Sequence, residues 1–505
     1  MTTRRRGSFP GILTVFLPLV LSAQSLQDFE KRVTEFTLPN GMHFIVLERH
    51  EAPVVSFHAY ANVGSVDDPS GKTGLAHMFE HMIGKGTETV GTKNWPAEKK
   101  ALEAVEEVYD RLEAERRKEL EANPETIKKL EAQLQAAIGK ANSYVVPNLF
   151  VRVIEENGAA GFNASTGSDA TRYYYSLPSN RIELWFLLQS EWFKRPVFRE
   201  FYKERSVVRE ERRMRVESNP QGKLQELLTA TTFIAHPYRT MIGWASDIEN
   251  LRAKDAEEFF KTYYVPGNVT IAIAGDVNPA QAKQFAQKYF GPIPGGELPP
   301  RVITEEPPQE GTKTVTLETA IQPFVFAAYK RPDQLHKDDP VFDVLGGILS
   351  SGRTGILYKE LVRDKQLALG AVAIASFPGG KYPNAFLFIA APNPGKTIEE
   401  IQKAWQDILR RLKEETVDAE TLKRVKTKIR ASLIRQLDSN PGLASQLAFY
   451  HVSYGDWRKL FTGIQEIDKV TAADVQRVAR QYLNDKTATL AYTTALKPAS
   501  KGEGK

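Results

Sequence analysis

The chain has 505 residues, of which 42% are hydrophobic and 26% charged, a globular composition with room for about two to four domains. It contains no cysteine, which excludes disulfides, thiol nucleophiles and Cys-ligated metals, so any metal must be held by His, Asp or Glu. The 67 Lys and Arg residues barely outnumber the 62 Asp and Glu residues, which gives no reason to expect nucleic acid or a membrane surface as a partner.

The beginning of the chain is typical of a secretory signal peptide. A basic stretch, Arg4–Arg6, precedes the apolar run Ile12–Leu21, and small residues follow around Ala23. That run is too short to span a bilayer comfortably. We therefore expect residues 1–24 to be cleaved and the mature chain, without a membrane span, to be exported to the periplasm or secreted. A mitochondrial presequence is the alternative, which the clustered arginines and the uniformly apolar run disfavour.

Short apolar runs broken by turn residues predict strands between Val33 and Asp67. A helix is predicted to begin after Gly74 and to reach Ile83. Residues 97–141 are rich in Glu, Lys, Arg, Ala and Leu and break at Asn123–Pro124. This pattern predicts a pair of amphipathic helices inserted into the first domain, which we interpret as a solvated hairpin without chemistry.

An internal duplication organises the chain. Ser218-Asn219-Pro220 recurs as Ser439-Asn440-Pro441, and several further residues recur at nearly the same offset. The offset predicts two copies of about 220 residues each. The Pro- and Gly-rich residues 291–311 between them are predicted to be a linker. We expect an α+β fold of two duplicated mixed αβ domains, residues 28–290 and 312–496.

The first copy contains the pentapeptide His77-Met78-Phe79-Glu80-His81. Helical positions four apart share one face, so both imidazoles can reach a single metal ion, with Glu80 beside them to accept a proton from water. The alternative interpretation is a pair of half-buried core histidines. The second copy has no such pentapeptide, and we predict that it is structural or contributes to binding.

A catalytic metal site needs a third protein ligand and an open position. In the predicted helix Tyr202–Glu217, Glu204 and Glu211 lie seven residues apart on one apolar face. Glu210 is turned about 100° away. Glu211 is therefore the preferred third ligand and Glu210 the second choice. The duplication places Ser432 or a neighbour where the second copy would need this glutamate.

These segments together resemble the pitrilysin/insulinase-type zinc peptidases over most of residues 30–495. The motifs that carry the resemblance are Gly74–Met82 with Lys85-Gly86-Thr87, Asn163–Thr166, Glu204–Glu211, and Tyr264–Asn268 with Gly275-Asp276. The resemblance implies His77, His81 and Glu211 as ligands of one Zn²⁺ per chain, Glu80 as the base, and Glu204 as a carboxylate supporting the ligands.

The resemblance also implies an overall architecture. Family members fold as paired αβ halves that close like a clamshell around an extended peptide, and this chain would form half or all of one. Asn163 and Ala164 match the segment that pairs with a substrate strand along a sheet edge.

Two positions in the second copy bear on activity. Arg363 matches a family arginine that helps to hold substrate, whereas the accompanying tyrosine position holds Leu369. Some relatives are heterodimers in which one chain carries the zinc and the other supplies the Arg/Tyr pair. The insertion 97–141 also lengthens the gap between His81 and Glu211 beyond the family's usual length.

The sequence therefore predicts a zinc-dependent endopeptidase that hydrolyses peptides or unfolded segments. One alternative is a zinc-bearing subunit that works as a homodimer, or only as a heterodimer with an inactive homologue carrying the Arg/Tyr pair. Another is a non-catalytic peptide-binding subunit. A complete HxxEH argues against the latter, because a structural zinc would be closed by four protein ligands.

Overall fold

The computed structural model describes residues 28–319 and 322–495, so the expected signal peptide, residues 1–24, lies outside the described residues. The strands are β1 (Val33–Thr37), β2 (His43–Glu48), β3 (Val54–Ala61), β4 (Ala160–Thr166), β5 (Thr171–Pro178), β6 (Val269–Gly275), β7 (Lys313–Thr319), β8 (Val325–Arg331), β9 (Ala368–Phe377), β10 (Asn384–Pro392) and β11 (Ala488–Ala495).

The helices lie between these strands, mostly in runs of several consecutive helices. They are α1 (Leu75–Glu80), α2 (Trp95–Arg116), α3 (Pro124–Asn142), α4 (Leu149–Glu156), α5 (Ile182–Lys194), α6 (Phe201–Arg212), α7 (Pro220–Thr232), α8 (Ala245–Asn250), α9 (Ala253–Tyr263), α10 (Pro279–Phe285), α11 (Asp339–Ser350), α12 (Ile398–Glu414), α13 (Ala419–Gln436), α14 (Asn440–Tyr454), α15 (Lys459–Lys469) and α16 (Ala472–Tyr482). In the described segments every helix is too short or too polar to cross a membrane.

The strands form two sheets with the orders β1-β2-β6-β3-β5-β4 and β7-β11-β8-β10-β9. In each sheet the last strand of the repeat, β6 or β11, pairs parallel with one neighbour and antiparallel with the other. The remaining pairs out to the edge strands β4 and β9 are antiparallel. The shared order and directions confirm the predicted pair of duplicated mixed αβ domains.

Each sheet is covered on one face by a helix from the other repeat. Leu224 and Leu228 of α7, in the first repeat, pack against Phe326 and its neighbours in the second sheet. Leu447 of α14, in the second repeat, packs with Ile45 and its neighbours in the first sheet. Burial of both faces explains why every residue of a strand such as β6 is buried, instead of buried and exposed residues alternating.

The repeated tripeptides begin these exchanged helices. The Asn219 side chain accepts the backbone N–H of Gly222, and the Ser439 hydroxyl accepts that of Gly442, while a proline occupies the first turn of each helix. A Cβ on Gly222 or Gly442 would lie 1.9 or 1.8 Å from a backbone carbonyl oxygen of the preceding helix region. The sequence repeat therefore marks the sharp corner at which each helix crosses to the other sheet.

The predicted helical hairpin and the Pro- and Gly-rich segment between the repeats differ in structure. α2 and α3 make an antiparallel hairpin with a small core of its own, which includes Tyr109 and Leu112. Residues 294–310 contain neither helix nor strand. The Glu306 carboxylate accepts three backbone N–H groups, those of residues 234–236, and ion-pairs with Lys330, so this segment is tied to both repeats.

We expect Leu447→Ala to lower the free energy of unfolding by about 2–5 kcal/mol, because it opens a cavity between the exchanged helix and the first sheet. Leu447 is 0% exposed, whereas Leu120, at the hairpin tip, is 101% exposed and supplies the matched control. Leu120→Ala should shift stability by no more than about 0.5 kcal/mol. Urea unfolding followed by tryptophan fluorescence measures both, and equal effects of the two variants would contradict the role assigned to α14.

Candidate metal centre

The helix that carries the pentapeptide is held at its N-terminus by Asp68. Its carboxylate accepts the backbone N–H groups of Gly74 at 2.7 Å and Ala76 at 2.8 Å. Gly74 has a φ of 91°, and a Cβ there would lie 2.9 Å from Ile248 Cγ1, so glycine suits this entry to the helix. α1 ends at Glu80, earlier than the predicted Ile83, because the following turns tighten to 3₁₀ hydrogen bonds.

Three potential ligands converge between α1 and α6. Glu211 Oε2 lies 3.6 Å from His77 Nε2 and 3.4 Å from His81 Nε2, and the donor atoms of all three side chains lie within 4.8 Å of one another. Ligand atoms bonded at about 2.0–2.2 Å to a tetrahedral ion are about 3.3–3.6 Å apart. Two imidazoles and one carboxylate at this spacing fit zinc and leave a fourth position open.

The charges around the cluster suit a cation. Burial lowers the pKa of His77 to about 4, helped by the charge of His81 and opposed by Glu211, so His77 is neutral at neutral pH, as a metal ligand must be. Burial also lowers the pKa of His81, but Glu204, Glu211 and Glu80 outweigh it and raise that pKa above its ordinary value. The surrounding carboxylates therefore favour positive charge at this point.

Neighbouring charges hold the two carboxylates in place. Glu204 Oε2 lies 3.6 Å from His81 Nδ1, and its other oxygen accepts a hydrogen bond from Lys85 Nζ at 2.5 Å. The oxygen of Glu211 that faces away from the histidines pairs with Arg215 at 2.6 Å. Such contacts behind a ligand set orient it and tune its affinity.

The two remaining candidate glutamates differ sharply. The Glu80 carboxylate is half-buried and makes no hydrogen bond or ion pair with any described residue, which leaves it free to exchange a proton. Glu210 points to solvent, where it pairs with Arg213 at 2.6 Å and is 50% exposed. The geometry therefore places Glu211, and not Glu210, with the histidines.

A cleft of about 270 Å³ opens beside the cluster. Its lining includes Glu80, His81 and Glu204 together with Asn163 and Ala164 of β4. β4 is an edge strand that pairs only with β5 within the described part of the chain, so its other edge has free backbone groups. The structure thus brings the expected substrate-pairing strand next to the expected base.

Arg363 and Leu369 stand apart from this cluster. Arg363 is exposed and pairs with its neighbour Asp364, and none of its hydrogen bonds or ion pairs among the described residues reaches the histidines. Leu369 lies on the edge strand β9 with 56% of its surface exposed. The structure therefore does not join the second repeat's expected substrate residue to the first repeat's ligands.

The second repeat has the same helices but different side chains. α11 and α13 take the places of α1 and α6, and α11 contains no histidine. Lys428 of α13 donates to the Ser351 carbonyl at 2.9 Å and to the Thr354 hydroxyl at 2.6 Å. Ser432 lines a separate cavity of about 1030 Å³. Asp339 and Asp343 of α11 line the same cavity, so the second repeat has carboxylates four residues apart on this helix where the first repeat has two histidines.

Another His/Glu group, Glu35, His43 and His451, also brings its donor atoms within 4.8 Å of one another. The two imidazole rings stack with centroids 4.0 Å apart and planes 3° from parallel. Nitrogen lone pairs lie in the ring plane, so parallel rings do not aim them at one point. The rings of His77 and His81, in contrast, are inclined at 80°.

Three residues at the site were given no role from the sequence, although Lys85 belongs to one of the motifs that carry the resemblance. They are Asp68, which caps α1, and Lys85 and Arg215, which hold Glu204 and Glu211. Arg215 follows Glu211 by four residues, a spacing that places a pair on one helix face and could have identified it. Lys85 and Asp68 lie outside α1, so no helical spacing identifies them.

Comparison with known proteins agrees with this architecture. Residues 44–120 and 137–243 match the sequence model described as Insulinase (Peptidase family M16), and residues 250–429 match the Peptidase M16 inactive domain. The unmatched interval 121–136 falls in the α2–α3 hairpin.

Individual proteins also resemble this chain in sequence or in fold over most of its length. The zinc protease PqqE of Helicobacter pylori is 27% identical over 496 residues, which cover 97% of this chain and 98% of the relative. A crystal structure of a protease from Helicobacter pylori superposes with a TM-score of 0.76 at 27% identity, covering 92% of this chain and 99% of that one. The periplasmic protease PqqL of Escherichia coli superposes with a TM-score of 0.66 at 15% identity, covering 93% of this chain and 49% of PqqL.

We expect Glu211→Gln to weaken binding of Zn²⁺ by more than about 100-fold, since it removes a charged donor from the cluster. Glu210→Gln, one residue away on the solvent side, should leave the affinity within about twofold. Competition with a chromophoric chelator measures both dissociation constants. The reverse order would transfer the ligand role to Glu210.

Proposed function

The chain belongs to the insulinase family of peptidases, family M16, and we propose that it is a zinc-dependent endopeptidase that hydrolyses peptides or unfolded segments. One observation carries the proposal: His77, His81 and Glu211 converge at zinc-ligand spacing beside an unpaired Glu80 at the edge of a cleft. The names of relatives such as the zinc protease PqqE support both the metal and the reaction class.

In this proposal His77, His81 and Glu211 hold the ion and Glu80 moves the proton. Zn²⁺, when bound, would lower the pKa of the attacking water to about 7 and polarise the scissile carbonyl. The Glu80 carboxylate accepts a proton from that water and then delivers it to the nitrogen of the leaving amine. Its lack of competing partners supports this role, because a carboxylate held by an arginine would be a poorer base.

We propose that substrate binds as an added strand along β4. The free edge at Asn163 and Ala164 offers backbone N–H and C=O groups to an extended chain, and the same residues line the cleft with Glu80. A strand that is already paired inside a folded protein has no backbone groups free for this pairing, whereas an extended peptide does. This arrangement supports peptides and unfolded segments as the substrate class.

A second candidate is a zinc-bearing subunit that needs a partner chain, a homodimer copy or an inactive homologue, for full activity. The observation that favours it is the exposed Leu369 at the expected tyrosine position, with Arg363 engaged by Asp364. This chain covers 49% of PqqL, so PqqL is about twice as long as this chain. A non-catalytic peptide-binding subunit is the third alternative.

We also propose that the protein acts outside the cytoplasm, in the periplasm or after secretion. The signal-like composition of residues 1–24 supports this location. The similar Escherichia coli protein is described as a periplasmic protease.

Glu80→Gln should retain Zn²⁺ and lose at least about 100-fold in turnover, because the amide cannot accept the proton of the attacking water. Glu210→Gln is the matched control, since it makes the same change on an exposed carboxylate outside the cluster. Turnover of a fluorogenic peptide and bound zinc are measured on the same samples. Near-normal turnover of Glu80→Gln would show that Glu80 is not the base.

The proposed activity is tested by incubating the purified mature chain with a diverse peptide mixture and reading the products by mass spectrometry. Cleavage that disappears with chelator and in Glu80→Gln establishes a self-sufficient endopeptidase. Zinc binding without cleavage favours the partner-dependent candidate, which is then tested by adding an Arg/Tyr-bearing homologue. If the chain binds peptides but cleaves them neither alone nor with the added homologue, the non-catalytic alternative remains.

A further inference from the structure

A fully buried ion pair lies beneath the hairpin. Arg199 and Glu98 expose 1% and 0% of their side chains, and Arg199 Nε donates to Glu98 Oε1 at 2.8 Å. Removing two charges from water is costly unless every remaining polar group is also satisfied. Glu98 belongs to the first turn of α2, so the pair roots the inserted hairpin in the first repeat.

The other donors of Arg199 are taken up by one loop. Nη1 donates to the carbonyl oxygens of Lys85 at 2.7 Å and Val90 at 2.9 Å, and Nη2 donates to that of Thr87 at 2.8 Å. A single planar guanidinium therefore bridges three carbonyls and one carboxylate, which a lysine ammonium cannot reproduce.

The loop has room for the guanidinium because of two glycines. Gly86 and Gly91 have φ values of 91° and 93°, and a Cβ on either would lie 2.8 or 2.9 Å from Arg199 Nη1. Both the backbone conformation and the close approach favour glycine here. The loop from Lys85 to Gly91 is thus wound around the Arg199 side chain.

This loop follows directly from the pentapeptide and reaches the metal centre through Lys85. The Lys85 ammonium binds Glu204 at 2.5 Å and lies 3.6 Å from Glu200. Glu204 in turn lies beside His81. Arg199 itself stands two residues before α6, the helix that carries Glu204 and Glu211. The loop behind α1 and the start of α6 are therefore fastened to the same buried group.

We propose that Arg199 and Glu98 are positioning residues of the metal centre, which fix the Lys85–Gly91 loop so that Lys85 holds Glu204 against His81. The inference rests on the proposed zinc function of the cluster. In this proposal the inserted hairpin helps to fix the geometry of the ligands through Glu98 and does not itself contact the substrate.

Arg199→Lys is the test, with Arg331→Lys as the matched control. Arg331 also exposes 0% of its side chain, donates to the carbonyls of Pro332 and Ala375, and pairs with Asp339 in the second repeat. Arg199→Lys should weaken Zn²⁺ binding about tenfold or more, as loss of a supporting group does, and speed hydrogen exchange in residues 83–92. Arg331→Lys should leave zinc affinity within about twofold, although both variants lower the melting temperature.

If Arg199→Lys is less stable than wild type but binds zinc equally tightly, the ion pair of Arg199 and Glu98 has only a structural role. Should Arg199→Lys fail to fold, Lys85→Met breaks only the last link on a side chain that is 14% exposed. It should weaken zinc binding, and Lys85→Arg should restore most of the affinity. A wild-type chain that binds no zinc would instead refute the proposed function, so the two failures are distinguishable.

Discussion

The structure depends on the reciprocal exchange of helices between the two repeats. A sheet with two apolar faces needs helices on both, and each repeat supplies α7 or α14 to the other rather than to itself. Neither repeat can then bury its own sheet alone, so the two are joined by their cores as well as by the segment 291–311. The corner that starts each exchanged helix is the Ser-Asn-Pro tripeptide, and this is why the duplication remains visible there in the sequence.

The exchange also bears on the metal centre. α6, which carries Glu211, runs through the π-helical turn Arg213–Glu217 into the corner before α7. Arg212 of α6 is buried and pairs with Glu226 of α7 at 2.6 Å. The helix that presents the third ligand is therefore braced by the helix that crosses to the second sheet. Packing between repeats and the geometry of the ligands are parts of one arrangement.

The two repeats show how little the fold dictates chemistry. Their sheets share strand order and direction, and α11 and α13 repeat the placement of α1 and α6. In the first repeat these helices present two imidazoles and a carboxylate, whereas in the second Lys428 binds a backbone carbonyl. The same backbone thus supports a candidate metal site in the first repeat, whereas the described residues of the matching helices in the second repeat form no such ligand cluster. The edge strands β4 and β9 also differ, since Asn163 and Ala164 of β4 line the cleft with Glu80 and no described residue of β9 lines it.

Spacing along single helices determined much of this protein. The HxxEH pentapeptide places His77 and His81 one turn apart, and the seven-residue interval places Glu204 and Glu211 on one face, so the candidate ligands were predictable before any contact was known. The duplicated tripeptides likewise predicted the paired domains. What the tertiary structure alone decided are contacts between distant segments: Lys85 on Glu204, Glu98 on Arg199, the parallel rings of His43 and His451, and the separation of Arg363 from the ligands. The charged composition of the hairpin predicted a solvated insertion and gave no sign that one of its glutamates is fully buried. Local spacing follows from helix geometry, whereas these contacts depend on how helices and loops pack across the whole molecule.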